Sequence, residues 1–142
     1  MLALLVHHDT KEPVGPVYCQ GREMMPLVGD RVAFVQRAYS SEETSSPEFK
    51  AVFAFSDLSV RQSGYYRLHF SLFELIGTDV VFRTCVYSLP FKTYPPKDFP
   101  GMQSSTDTTA ELKRNGIRMR WKKSIRIKPK NKEASRVNKH SK

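Results

Sequence analysis

Between Ile117 and Lys128 the chain alternates apolar and cationic residues: Ile-Arg-Met-Arg-Trp-Lys-Lys-Ser-Ile-Arg-Ile-Lys. A β-strand sends successive side chains to opposite faces, so this pattern predicts a strand. Ile117, Met119, Trp121, Ile125 and Ile127 fall on one face, broken only by Lys123. Arg118, Arg120, Lys122, Arg126 and Lys128 fall on the other, with Ser124 as the gap. Same-face neighbours on a strand sit roughly 6.5–7 Å apart, so a row of cations repels itself unless something anionic lies across it. Two readings fit. The row grips a polyphosphate backbone, or it is an exposed strand using charge against edge-to-edge aggregation.

The distribution of charge sharpens the choice. The 142 residues carry a net charge of +9, and 39% are hydrophobic, enough to build the core of one domain. Residues 113–142 hold 13 Lys and Arg against the single acid Glu133, a balance of +12, whereas residues 1–112 balance to −3. A mildly acidic body with a strongly basic end points to nucleic acid, an anionic membrane surface or the nuclear import machinery as partner. A solvated basic tail is the alternative.

Two cysteines, Cys19 and Cys85, make neither a disulfide framework nor a zinc-ligand spacing, which suits a reducing compartment. The apolar start Met1–Val6 lacks a positive flank and runs straight into His7-His8-Asp9, so it does not read as a signal peptide. No apolar run has the length of a membrane span. The expectation is a soluble intracellular protein with no membrane partner.

Along the chain, Met1–Val6, Val17–Gln20 and Arg31–Arg37 read as strands, with a polar turn around His8–Gly15. Ser40–Glu48 has almost nothing to bury and reads as a loop. The strongest strand pair follows: Phe49, Ala51, Phe53 and Phe55 share one face, and Tyr66, Leu68, Phe70 and Leu72 share another after the turn at Gln62-Ser63-Gly64. After Gly77-Thr78-Asp79, the even-numbered Val80, Phe82 and Val86 are expected to face inward, with Arg83 and Cys85 outward. Tyr65 and Phe73 break the rule by sharing the parity of Arg67. The prolines in Phe91–Gly101 suit an extended crossover. One helix is predicted, from about Thr106 to Asn115, with Thr108 and Glu111 at capping-box spacing and Gly116 as its left-handed stop. Many short strands and one late helix indicate an all-β sandwich over residues 1–128, followed by a basic disordered tail at 129–142.

Catalytic signatures are absent from this sequence. No Gly-x-Gly, His-Glu-x-x-His, Gly-x-Ser-x-Gly or Cys-x-x-Cys occurs. Adjacent His7 and His8 would point apart on a strand, poor geometry for one metal. No cofactor or metal is expected, and a binding protein is the better reading than an enzyme. Most aromatics fall on the apolar parity of their strands, which favours backbone electrostatics over base stacking as the means of holding nucleic acid.

The blocks Phe53-Ala-Phe-Ser-Asp-Leu-Ser-Val60 and Gly64-Tyr-Tyr-Arg-Leu-His-Phe-Ser-Leu-Phe-Glu74 resemble the central part of the fungal velvet domain. Lys97-Asp-Phe-Pro-Gly-Met102, Ser105-Thr106 and Asn115-Gly-Ile-Arg-Met-Arg-Trp-Lys-Lys123 resemble its C-terminal part, in the same order and spacing. The resemblance covers about residues 27–123. It implies an immunoglobulin-like sandwich similar to the Rel-homology DNA-binding fold. It also implies a nuclear regulator coupling development and sporulation to secondary metabolism, acting as a homo- or heterodimer with other velvet proteins. Arg118, Arg120, Lys122 and Lys123 match the family's basic end, and Arg126 and Lys128 continue the row. The family's N-terminal strand and basic loop have no counterpart here, which would leave one sheet edge unpaired. The expected function is DNA binding in a dimer, or pairing with a fuller relative while the basic segment serves nuclear import.

Overall fold

The structure, a computed structural model, describes residues 1–39 and 49–119. Ser40–Glu48, predicted to be a loop, and everything from Arg120 onward, including the predicted tail, lie outside the described residues. Within them the chain is all-β with one short helix, as the sequence predicts.

Among the described residues ten strands form: β1 (Leu2–His7), β2 (Val17–Cys19), β3 (Arg22–Met24), β4 (Leu27–Val28), β5 (Gln36–Tyr39), β6 (Phe49–Val52), β7 (Ser59–Val60), β8 (Gly64–Ile76), β9 (Asp79–Tyr87) and β10 (Phe91–Thr93). The helix α1 spans Asp107–Arg114. β8 is the spine. β1 lies antiparallel along one of its edges, from Leu2↔Ser71 to His7↔Tyr66. β9 and β10 share the other edge, β9 over His69–Ile76 and β10 over Gly64–Tyr66. The pairs β2–β3, β4–β7 and β5–β6 are separate two-stranded ladders.

The core sits where β4–β7 and the chain before β7 cross the inner face of β8. Ala3 and Leu5 of β1, Leu27 of β4 and Tyr66 of β8 are buried together, with Phe55, Leu58, Val60, Leu68, Phe70 and Phe91 packed around them. Each large apolar side chain fully buried there contributes about 1.5–3 kcal/mol. The rings of Phe55 and Phe70 meet at 5.2 Å. Asp57 reaches back to accept from the Asp30 N–H at 3.1 Å and holds β4 beside β7.

Several expected relationships change. β6 pairs with β5, not with β8, so Phe49 and Ala51 stay exposed while only Phe55 reaches the core. The expected strand Arg31–Arg37 starts late, at Gln36; before it, Val32 bridges Leu2, and Met1 and Ala33 exchange backbone bonds. Gln20 and Gly21 both take positive φ, 51° and 73°, so the chain folds back at once into β3. That is the geometry of a two-residue hairpin turn. Phe91–Thr93 forms an edge strand before its prolines turn the chain away.

The largest correction concerns β9. Ser71 faces Cys85 and Leu72 faces Thr84, but Phe73 faces Phe82, so Arg83 is an extra residue and the ladder carries a β-bulge. Directly opposed residues share a face. Val86 therefore sits on the side of Phe70, whereas Phe82 and Val80 sit on the opposite side with Phe73 and Leu75. Val80, Phe82 and Val86 do not share an inward face, and all three are exposed. A one-residue offset moves every later side chain across the sheet, and β8 carries the matching change: its apolar residues switch from even to odd numbers after Leu72.

Candidate nucleic-acid interface

The predicted basic strand enters the described residues only through Ile117–Met119. These residues pair with no described strand, yet their burial follows the expected parity. Ile117 is 3% exposed, Arg118 faces solvent, and Met119 is half-buried. Arg120, Lys122, Lys123, Arg126 and Lys128 lie outside the described residues.

The helix fixes where Arg118 goes. The Thr106 side chain caps its start by accepting from the Thr109 N–H at 3.3 Å, so the cap falls two residues before the expected Thr108. At the other end Gly116, at φ 80°, reverses the backbone. The Gly116 N–H donates to the Lys113 carbonyl at 3.0 Å and the Ile117 N–H to the Leu112 carbonyl at 3.1 Å. This paired arrangement satisfies the last helical carbonyls. The reversal buries Ile117 and turns the next residue, Arg118, outward.

Asn115 ties this corner to the sheet. Its Oδ1 accepts from the Tyr39 N–H at 2.7 Å, and its Nδ2 donates to the Tyr39 carbonyl at 3.1 Å and to the Glu111 carbonyl at 3.1 Å. The amide does for Tyr39 what a neighbouring strand would. The end of α1, which carries the exposed Lys113 and Arg114, is thereby joined to β5, whose ladder with β6 carries the exposed Arg37 and Lys50. The Arg37 guanidinium lies 5.3 Å from the centre of the Phe49 ring. Among the described residues no carboxylate is within ion-pair distance of Arg118 or Arg114. Arg37, Lys50, Lys113 and Arg114 are absent from the sequence-derived set. The charge count, which turns positive at Lys113, signals the last two; Arg37 and Lys50 join only through the Asn115–Tyr39 contact.

Other candidate chemistry is quiet. Arg83, the cation nearest Cys85 in sequence, donates from Nε to Glu74 at 2.6 Å and is not turned to the thiol. Cys19 and Cys85 are exposed free thiols. No group of three His, Cys, Asp or Glu able to hold a metal occurs among the described residues, and none of their helices is long and apolar enough to cross a membrane.

The described residues thus form a small all-β domain with exposed cations at the end of its one α-helix. The family model described as "Velvet factor" matches residues 8–125. The chain belongs to the velvet family. It is 44% identical over 71 residues to the spore development regulator umv1 of Mycosarcoma maydis, a match covering 50% of this chain and 9% of that protein. It is 40% identical over 74 residues to the spore development regulator VOSA of Pyricularia oryzae, covering 52% and 15%. It is 38% identical over 96 residues to a velvet complex subunit of Chaetomium globosum, covering 65% and 21%. The chain thus spans well under a third of the length of each of these relatives.

Proposed function

We propose that this chain is a velvet-type transcription regulator of fungal development, sporulation and secondary metabolism that binds DNA through its basic surface as a homo- or heterodimer in the nucleus. The observation that carries the reading is the helix end: Ile117 buried, Arg118 exposed, and Arg114 exposed in the last turn of the helix that Asn115 holds to β5. Cations projecting from a fixed backbone suit phosphate contacts, which set affinity without reading sequence. The names of two relatives as spore development regulators and of a third as part of a velvet complex support the developmental role and the velvet-family partner.

The test is duplex DNA binding measured across salt concentrations. Each phosphate neutralised adds about −0.9 to the log–log slope. A steep slope supports the reading; a flat slope or no binding overturns it. A nuclear fluorescent fusion that moves to the cytoplasm when the basic segment is removed would support localisation through the import machinery.

A second reading is favoured by one observation. Phe34, Leu75, Val80 and Phe82 are all exposed, an apolar surface that suits protein contact. On this reading the chain is a heterodimerising protein without DNA binding of its own. Co-purification with a velvet relative in the absence of any DNA affinity would support it.

A further inference from the structure

In the first half of β8, Tyr66, Leu68 and Phe70 serve the core, so Tyr65, Arg67 and His69 lie on the opposite face of the four-stranded sheet. Directly opposed residues join them there. Lys92 of β10 lies across from Tyr65, and Tyr87 of β9 lies across from His69. Tyr65, Tyr87 and the nearby Tyr94 are 54%, 37% and 39% exposed, and none belongs to the buried cluster. Each of these rings has a cation over it. The Lys92 ammonium is 5.4 Å from the centre of the Tyr65 ring and 4.8 Å from that of Tyr94. The Lys11 ammonium is 5.1 Å from the centre of the Tyr87 ring, which is itself stacked on His69 at 4.6 Å. Arg67, between Tyr65 and His69 in the row, is fixed by donating to the carbonyls of His8 at 3.1 Å and Ser88 at 2.9 Å.

We propose that this face is a stacking site for single-stranded nucleic acid, in which Tyr65 and Tyr87 each take a base and Lys92 and Lys11 turn to the flanking phosphates. Exposed rings interleaved with cations on a sheet are the arrangement that unpaired bases recognise. A lysine over an exposed ring is held more weakly than a base stacked there, so a base displaces it. The released ammonium is then beside the phosphate that the base brings with it. Tyr65 and His69 are four residues apart on one strand, about 13 Å, so Tyr65 and Tyr87 engage different bases. Charge alone does not make the site. The turn that carries Lys11 also carries Asp9 and Glu12, and the Asp9 carboxylate is taken up by His8 at 3.6 Å and the Thr10 N–H at 2.8 Å. Three cations, Lys11, Arg67 and Lys92, are set against those two acids, so the rings supply most of the affinity. The site is separate from the helix-end cations of the proposed duplex contact and stands whether or not that contact forms.

The test is fluorescence anisotropy of the full chain with labelled oligothymidylate, oligouridylate and a DNA duplex, each of about ten nucleotides, across salt concentrations. Tyr65→Ala and Tyr87→Ala are each expected to weaken single-strand binding about 5- to 100-fold without changing the salt slope, while Tyr65→Phe and Tyr87→Phe retain it. Lys92→Gln is expected to make the slope shallower by about 0.7, the value for one phosphate of a single strand. Tyr18→Ala, at an exposed tyrosine of β2, is the control and leaves binding unchanged. Far-ultraviolet circular dichroism establishes that each variant has folded. Whichever single strand binds more tightly identifies DNA or RNA as the source, and both support the site. Wild-type affinity for single strands in both alanine variants overturns the proposal, as does a loss in the phenylalanine variants equal to that in the alanine ones. An equal loss of duplex binding in the alanine variants also overturns it, since bases paired inside a duplex do not reach the rings. Polyglutamate binding that falls in the alanine variants while oligonucleotide binding holds overturns it too, and assigns the face to an acidic protein segment.

Discussion

The side-chain amide of Asn115 holds Tyr39 by both of its backbone groups, at 2.7 and 3.1 Å, across 76 residues of sequence. This contact joins the end of α1 to β5 and sets the position from which the basic segment leaves. Asn115→Ala removes both bonds and the one to Glu111. At about 0.5–1.5 kcal/mol for each ordinary hydrogen bond, and toward the low end because Tyr39 is exposed, a loss of about 1–2 kcal/mol is expected in urea unfolding. Tyr39→Ala keeps the backbone partners and should cost less. Equal losses in the two variants would show that the ring of Tyr39, not the clamp, matters.

Neighbours on the chain should behave as opposites. Arg118→Gln leaves stability within about 0.5 kcal/mol, as for most exposed substitutions, and, under the proposed DNA-binding function, makes the salt slope shallower by about 0.9. Ile117→Ala costs about 2–5 kcal/mol, the range for truncating a buried aliphatic residue. Unfolding curves and salt titrations of the two variants, run side by side, check the face assignment.

Gly29 marks a close approach between β4 and the chain before β7. A Cβ built there would lie 2.5 Å from the Asp57 carbonyl oxygen, and the residue sits at φ 101°. Gly29→Ala is therefore strained twice, by backbone conformation and by contact with main chain that cannot rotate away. A loss of about 1–3 kcal/mol is expected from the conformation alone, read as a lowered thermal midpoint.

Burial raises the Tyr66 hydroxyl above its ordinary pKa of about 10. Its neutral form is the one the folded state prefers, so its contribution is complete below the unfolded pKa and fades as pH rises through the folded one. Tyr66→Phe should consequently show a shallower loss of stability above pH 10 than the wild-type chain, although it forgoes the bond from the hydroxyl to the Ser63 carbonyl. Denaturant midpoints of both proteins between pH 8 and about 11.5 test the difference; parallel curves would remove Tyr66 from the alkaline transition.

Local pattern predicted the elements well and their partners less well. Alternation located β1 and most of β8, and the polar run closed by Gly116 located α1 to within a residue at each end. Thr106 won the cap from Thr108 because the helix starts at Asp107, which puts Thr109 at the position the cap must reach. Pairing is a long-range choice, and nothing in Phe49–Phe55 specifies β5 over β8. The bulge was legible in principle: β8 changes the parity of its apolar residues at Leu72 while β9 keeps its own at Val80, Phe82 and Val86, which requires an unmatched residue between them. For the site, Ile117 and Arg118 took their expected sides. Arg37 and Lys50 were invisible because only the folded chain brings β5 to Asn115.

The unmatched Arg83 also divides labour along a single hairpin. The proximal half of β8, from Tyr66 to Phe70, fastens the domain together, and substitution there endangers folding. Past the irregularity, Phe73, Leu75, Val80 and Phe82 look the other way and carry little of that burden. Their identities can drift among apolar types at small thermodynamic cost, so one ribbon can keep a fixed anchor while its free end diverges between relatives in what it touches.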